Sequence, residues 1–213
     1  MMVLKIDSIT LKRSNKILFK NFSLNISKSQ IIILTGDNGI GKSSLLEAIT
    51  GVLKVCEGQI NISKDINNIF YLGHENCLKD ELSVYDNLMV WCEIARRKVM
   101  DDQILAGLNY FNIARLVNQP IKKLSQGQKR RVALTKFFFT DSKLILLDEP
   151  IAGIDKKSEY NFSRLVLKKK RTGKTIILTS HTDLGFKNQK IVDLNRFSKK
   201  LNKNKKLNNW ENL

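Results

Sequence analysis

The chain has 213 residues, 42 % of them hydrophobic, and a net charge of +17 from 37 Lys and Arg against 20 Asp and Glu. That length holds one domain, or one core with a subdomain; no apolar run approaches the ~20 residues of a membrane-spanning helix, and no charged-then-apolar leader opens the chain, so no secretory signal is expected. The cysteines, Cys56, Cys77 and Cys92, are odd in number and form no CxxC, which argues against a disulfide framework or zinc site, while the charge points either to a polyanionic partner or to a Lys-rich solubilising surface.

Val3 to Leu11 alternates apolar and polar residues, as a half-buried strand does, and Ile17 to Ile26 does so again after a turn at Arg13 to Lys16. Ile31 to Leu34 is continuously apolar, the pattern of a strand covered on both faces. A glycine-rich stretch follows, then a helix from Lys42 to Thr50 with Leu45, Leu46 and Ile49 on one face and Gly51 as its stop. From about Ser83 to Phe139 the pattern is helical. Ser83 is an N-cap with Asp86 three places on, and Leu88, Val90, Trp91 and Ile94 supply apolar positions. Ser125 and Gln128 have capping-box spacing, opening a helix through Val132, Ala133, Leu134 and Phe137. Leu144 to Leu147 is a second buried strand, Lys156 to Lys170 a helix, and Thr175 to Thr179 a third buried strand. Strands alternating with helices predict an α/β fold with a parallel sheet. The tail after Phe197 is rich in Lys and Asn with little to bury.

Two segments carry phosphate chemistry. Gly36-Asp37-Asn38-Gly39-Ile40-Gly41-Lys42-Ser43 is G-x-x-x-x-G-K-S, placed after a predicted strand and opening a predicted helix. The glycines let backbone amides wrap phosphates, and the helix N-terminus adds its positive dipole end. Lys42 would reach the β- and γ-phosphates and the Ser43 hydroxyl would ligate Mg²⁺; Ser44 completes the nucleotide-contacting set. Leu144 to Leu147 ends in Asp148 and Glu149. Active sites of open α/β sheets lie at the carboxyl ends of strands; Asp148 would hold Mg²⁺ and Glu149 would polarise the attacking water.

Leu124-Ser125-Gln126-Gly127-Gln128, followed by Lys129-Arg130-Arg131-Val132-Ala133-Leu134 and lying upstream of the acidic strand, resembles the signature of ATP-binding cassette (ABC) ATPases. Ser125 and the Gly127 backbone fall at a helix N-terminus, a natural anion seat. Ala152-Gly153-Ile154-Asp155 stands where that family's D-loop belongs, with Asp155 its acidic residue, and His181 matches the switch histidine that contacts the γ-phosphate. The resemblance implies a P-loop NTPase (RecA-like) core with an antiparallel β subdomain and an inserted α-helical subdomain. It implies one cassette over residues 1–198, the helical subdomain at about 75–135, and a basic tail over 199–213. The cofactors implied are ATP and Mg²⁺. Ser125, Gly127 and Gln128 would grip nucleotide held by a second copy of the chain, so a homodimer is the working unit.

Two positions depart from the general pattern. Arg13 stands where many members carry an aromatic that stacks on adenine, and His74 where most carry the Q-loop glutamine that senses Mg²⁺ and nucleotide. Tyr71-Leu72-Gly73-His74, Leu78-Lys79, Leu82-Ser83, Asn87-Leu88 and Trp91 together resemble one subfamily, the ATP-binding subunit of the bacterial haem exporter of cytochrome c maturation; Cys77 replaces a glycine usual there. This implies multi-span membrane subunits as partners and a peripheral place on the cytoplasmic face of the inner membrane. Export of another substrate is the alternative within transport. A nucleic-acid-linked ABC ATPase is the rival outside it, but the span from Lys42 to Ser125 lacks the heptads of a coiled-coil insertion, so no nucleic acid is expected. There is no CxxCH haem-attachment motif.

Overall fold

The structure, a computed structural model, describes residues 1–180 and 184–197. The chain divides into two compact units. One comprises Met1–Tyr71, Ser142–Asp148 and Lys170–Leu213; the other comprises Leu72–Asp141 and Glu149–Lys169.

The first unit opens with two long strands, β1 (Met2–Arg13) and β2 (Lys16–Ser27), which pair antiparallel. Their alternation is the predicted one: Leu4, Ile6, Ile9 and Leu11 on β1 and Phe19, Phe22, Leu24 and Ile26 on β2 all face inward. A strand without a clear sequence signal, β4 (Glu57–Ile62), pairs with the other edge of β1, giving the order β2-β1-β4. The second sheet has the order β5-β6-β7-β3-β8, from β3 (Ile31–Thr35), β5 (Ile69–Leu72), β6 (Leu144–Leu147), β7 (Thr175–Thr179) and β8 (Gln189–Asp193). The β3–β7, β3–β8 and β6–β7 pairs are parallel. Every residue of β6 and β7 is buried, as continuous apolar runs require of strands covered on both faces.

Helix α1 (Lys42–Thr50) lays Leu45, Leu46 and Ile49 into the same core as the inner face of the β1–β2 pair and Ile32, Leu34, Leu144, Leu146 and Ile177 of the parallel sheet. Burying a side chain of that size contributes about 2 kcal/mol, so this shared core fixes where α1 begins. Gly51 ends the helix in the left-handed region (φ 82°), its N–H bonding Ala48 O.

The second unit is helical: α2 (Val84–Ile94), α3 (Asp101–Tyr110), two short 3-10 turns at Ala114–Leu116 and Ile121–Lys123, α4 (Gln126–Phe139) and most of α5 (Lys156–Arg171). Ser83 caps α2 as expected, accepting from Asp86 N at 3.0 Å. Leu88 of α2 is buried as expected, but Ile94 is 77 % exposed, and Val84, Asn87 and Cys92 turn inward beside Leu88. Asn87 is held there by its side chain, whose Oδ1 accepts from Lys79 N and whose Nδ2 donates to the carbonyls of Lys79 and Ser83. The helical pattern of Ser83 to Phe139 is thus several helices, α3 being a separate element between Met100 and Phe111.

Candidate functional site

The phosphate loop runs from the end of β3 to the start of α1 in the first unit. Gly36, Gly39 and Gly41 all have positive φ, at 140°, 74° and 110°. At Gly41 the backbone conformation disfavours any side chain, and a Cβ would also crowd the Phe19 ring at 3.0 Å. Asp37 O accepts from Ile40 N, closing the turn. Lys42 is 6 % exposed, and its ammonium donates to Gly36 O at 2.8 Å and Asp37 O at 3.2 Å, which centres the charge on the loop's own backbone. No described side chain caps the N-terminal amides of α1. Asn195 braces the loop from outside, its Oδ1 accepting from Asp37 N at 3.3 Å and its Nδ2 donating to Asp37 Oδ1 at 3.2 Å. Nothing in the sequence marks Asn195, which lies 158 residues away along the chain.

Arg13, at the end of β1, reaches across to α1. Its Nη1 donates to Ser44 Oγ at 3.1 Å and Glu47 Oε2 at 2.9 Å. Ser44 is itself buried, so Arg13 ties the antiparallel sheet to the first turn of the phosphate-loop helix. Asp148 directly follows β6 with 1 % exposure, and its Oδ1 accepts from Thr179 Oγ1 of the neighbouring β7 at 2.8 Å. Ser43 and Asp148 are hard oxygen donors of the kind Mg²⁺ takes, and both belong to this unit. His181 lies two residues beyond β7, outside the described residues, as does the basic tail 199–213.

The second unit holds the signature. Ser125 and Gln128 form the predicted capping box: Gln128 N donates to Ser125 Oγ at 3.3 Å and Ser125 N donates to Gln128 Oε1 at 2.8 Å. The pair sets where α4 begins and stabilises it by about 1 kcal/mol. Gly127 is pressed against the D-loop; a Cβ there would stand 2.5 Å from Gly153 O. Asp155 caps α5, its Oδ1 accepting from Ser158 N at 2.8 Å, and it pairs with Arg131 at 3.0 Å. The Ser158 amide first, its hydroxyl next and the Arg131 charge after them hold the Asp155 carboxyl below the usual carboxylate range.

Glu149 sits in the left-handed region at φ 44°, and its carboxylate is 3.9 Å from His74 Nδ1, within ion-pair reach but beyond a hydrogen bond. Thus the structure brings together His74 and Glu149 in one unit, and Ser125, Gly127, Gln128 and Asp155 around the starts of α4 and α5.

The cations after the signature are held within the chain. Lys129 pairs with Asp80 at 2.8 Å and Arg131 with Asp155, while Arg130 and Lys136 are 5 % and 4 % exposed. Lys136 Nζ donates to Cys77 O at 3.0 Å and Asn76 O at 3.2 Å, and burial pushes its pKa down to about 8. The sequence shows Arg130 only as one of three cations following Gln128 and does not mark Lys136. The signal was in the periodicity: Arg130 shares the apolar face of Ala133, Leu134 and Phe137 at helical spacing.

Residues 19–152 match the ABC transporter family model. The chain is 33 % identical over 205 residues to the cytochrome c biogenesis ATP-binding export protein CcmA of Reclinomonas americana, covering 92 % of each chain. It is 34 % identical over 190 residues to the protein of that name from Brucella abortus, covering 86 % of this chain and 87 % of the relative. Among solved structures, a putative ABC transporter ATP-binding protein from Pyrococcus furiosus superposes with a TM-score of 0.80 at 25 % identity, over 91 % of this chain and 98 % of that one. A dimeric ATP-binding cassette in a post-hydrolysis state with ADP and Pi superposes with a TM-score of 0.72 at 24 % identity, over 84 % of this chain and 88 % of that one.

Proposed function

The chain belongs to the ABC transporter family, and from that premise we propose that it is the ATP-hydrolysing subunit of the haem-exporting complex of cytochrome c biogenesis, working as a homodimer that drives separate multi-span membrane subunits. The observation that carries the export reading is the likeness to cytochrome c biogenesis export proteins over 92 % of both chains. The ATPase reading stands on two anion seats in one chain, the phosphate loop at the start of α1 and Ser125 to Gly127 at the start of α4. Residues 1–198 are read as one cassette. With no described helix long and apolar enough to cross a membrane, the reading places the chain peripherally, on the cytoplasmic face of the inner membrane.

Each group has a task in this reading. The loop amides and Lys42 bind the β- and γ-phosphates. Ser43 and Asp148 hold Mg²⁺, which supplies charge neutralisation at those phosphates. Glu149 accepts a proton from the attacking water. His74 stands beside Glu149 in the Q-loop position, and His181 contacts the γ-phosphate. Ser125, Gly127 and Gln128 meet the nucleotide of the partner copy, while Asp155 positions the D-loop. Arg13 offers a guanidinium plane near the start of α1 on which adenine can stack.

Glu149→Gln tests the assignment. It keeps the size and most of the hydrogen bonding but removes the base, so ATP binding persists while turnover falls on the order of 100-fold and a nucleotide-bound dimer accumulates. ATPase rate and light scattering read both effects; turnover near wild type would overturn the role given to Glu149. Mass spectrometry of the membrane protein that co-purifies with the chain tests the export reading, which fails if no multi-span protein is recovered.

A further inference from the structure

Arg130 occupies the second turn of α4 with 5 % of its surface exposed. A buried guanidinium needs its donors satisfied, and here they reach two separate stretches of backbone. Nε donates to Pro150 O at 3.1 Å and Nη2 to Glu149 O at 3.0 Å. Nη1 donates to Gly73 O and to Asn76 Oδ1, each at 3.0 Å. One planar fork thus holds the main chain on both sides of the Glu149–Pro150 peptide bond and the strip that carries His74.

Glu149 is the second observation. Its φ of 44° lies where a side chain is unfavourable, by roughly 1–2 kcal/mol, and such a conformation persists only where the surroundings over-determine it. The backbone direction at this residue decides where its carboxylate points. Ala152 N donates to Glu149 O at 3.2 Å, giving that carbonyl a turn bond beside the Arg130 bond.

We infer that Arg130 is a positioning residue for hydrolysis: it locks the Glu149 backbone in its left-handed conformation and ties that conformation to the His74 strip. Arg130 acts through Glu149, so the proposal rests on the reading of Glu149 as the base that takes the water's proton. The same helix has Ser125 as its N-cap and Gly127 in its first turn, which places the anchor of the base one turn from the signature. Lysine cannot replace Arg130 here, because a point charge with three donors on one atom does not span the two stretches as a planar fork does.

The test is steady-state ATP hydrolysis by the full chain with its co-purified membrane subunit, beside affinity for a fluorescent ATP analogue. Arg130→Gln is expected to lower kcat by about tenfold or more with KM within about twofold, the signature of an interaction that matters in the transition state. On a Glu149→Gln background the same change should cause no further loss, because the group it positions has been removed. A folded Arg130→Gln protein with kcat within about twofold of wild type, or an equal proportional loss on both backgrounds, would overturn the proposal. Where Arg130→Gln does not fold, Arg130→Lys and Asn76→Leu carry the test. Arg130→Lys should lower kcat at unchanged KM, and wild-type kcat would overturn the hold on Glu149. Asn76→Leu removes one acceptor on the His74 side and should lower kcat by a smaller factor; unchanged kcat would overturn the tie to that strip. The Glu149→Gln parent measured in the same series reads the other failure: if it turns over at the wild-type rate, the fault lies in the role given to Glu149.

Discussion

The two helix starts to which the proposed function assigns phosphate binding are built in opposite ways. Helix α1 begins at a left-handed Gly41 with no described side chain bonding its first amides, and one buried ammonium, that of Lys42, rests on the loop's own carbonyls. Helix α4 begins at Ser125 in an extended conformation, closed by a reciprocal capping box and anchored by the buried cations Arg130 and Lys136, which bind carbonyls of distant segments. The first seat keeps its donors open by conformation. The second has part of its donors satisfied internally and is fixed in place by long-range contacts. Under the proposed function, the difference suits a loop that would wrap a phosphate chain and a helix end that would meet one from a partner copy in a fixed position.

The comparison breaks most severely at Lys42. Lys42→Ala removes the charge that would meet the β- and γ-phosphates, together with its hydrogen bonds to Gly36 O and Asp37 O. Turnover should fall on the order of 1,000-fold. A variant that hydrolyses ATP within about tenfold of wild type would show that the phosphate seat lies elsewhere.

At the other seat the sharpest change is Gly127→Ala. The added methyl would stand 2.5 Å from Gly153 O, a backbone atom that cannot swing aside. Either α4 or the D-loop must move, at about 1–3 kcal/mol. The melting temperature and the turnover should both drop, and by less than the Lys42 variant loses in rate. An alanine variant with unchanged melting and unchanged rate would mean that the close approach of these two loops has no consequence for function.

The two seats also differ in how legible they were. The phosphate loop reads directly from sequence because its chemistry is in the backbone, and the spacing of glycines with Lys42 and Ser43 dictates that backbone locally. The capping box of α4 was legible for the same reason, being a contact between residues three apart. Arg130 and Lys136 were not, since what they bind are carbonyls of Gly73, Glu149, Pro150, Asn76 and Cys77, and a carbonyl carries no residue identity. Asn195 escaped for a related reason: its partner Asp37 is brought near only when β8 pairs with β3. Strand β4 escaped because it lies half exposed on one edge of its sheet, where no continuous apolar run is needed. The three buried strands, by contrast, declared themselves through uninterrupted apolar residues.

Lys136 gives the smallest and most specific effect. Its ammonium is buried, and the loss of water lowers its pKa from about 10.5 to about 8, with a weaker upward influence from Cys77. A depressed lysine pKa acts on stability in one direction. Below pH 8 the group is charged in both the folded and the unfolded chain, and the cost of burying the charge is fully present. Between pH 8 and 10.5 the folded protein releases its proton while the unfolded chain keeps it, so folding becomes more favourable as pH rises. Lys136→Met removes the titration and keeps the length of the side chain. Groups remote from Lys136, Asp155 among them, cancel in the difference. The stability of wild type relative to Lys136→Met, measured by denaturant unfolding, should therefore rise by about 2 kcal/mol from pH 7.5 to 9.5. A difference that stays flat would place the ammonium in contact with water and remove one of the two anchors that set α4 apart from α1.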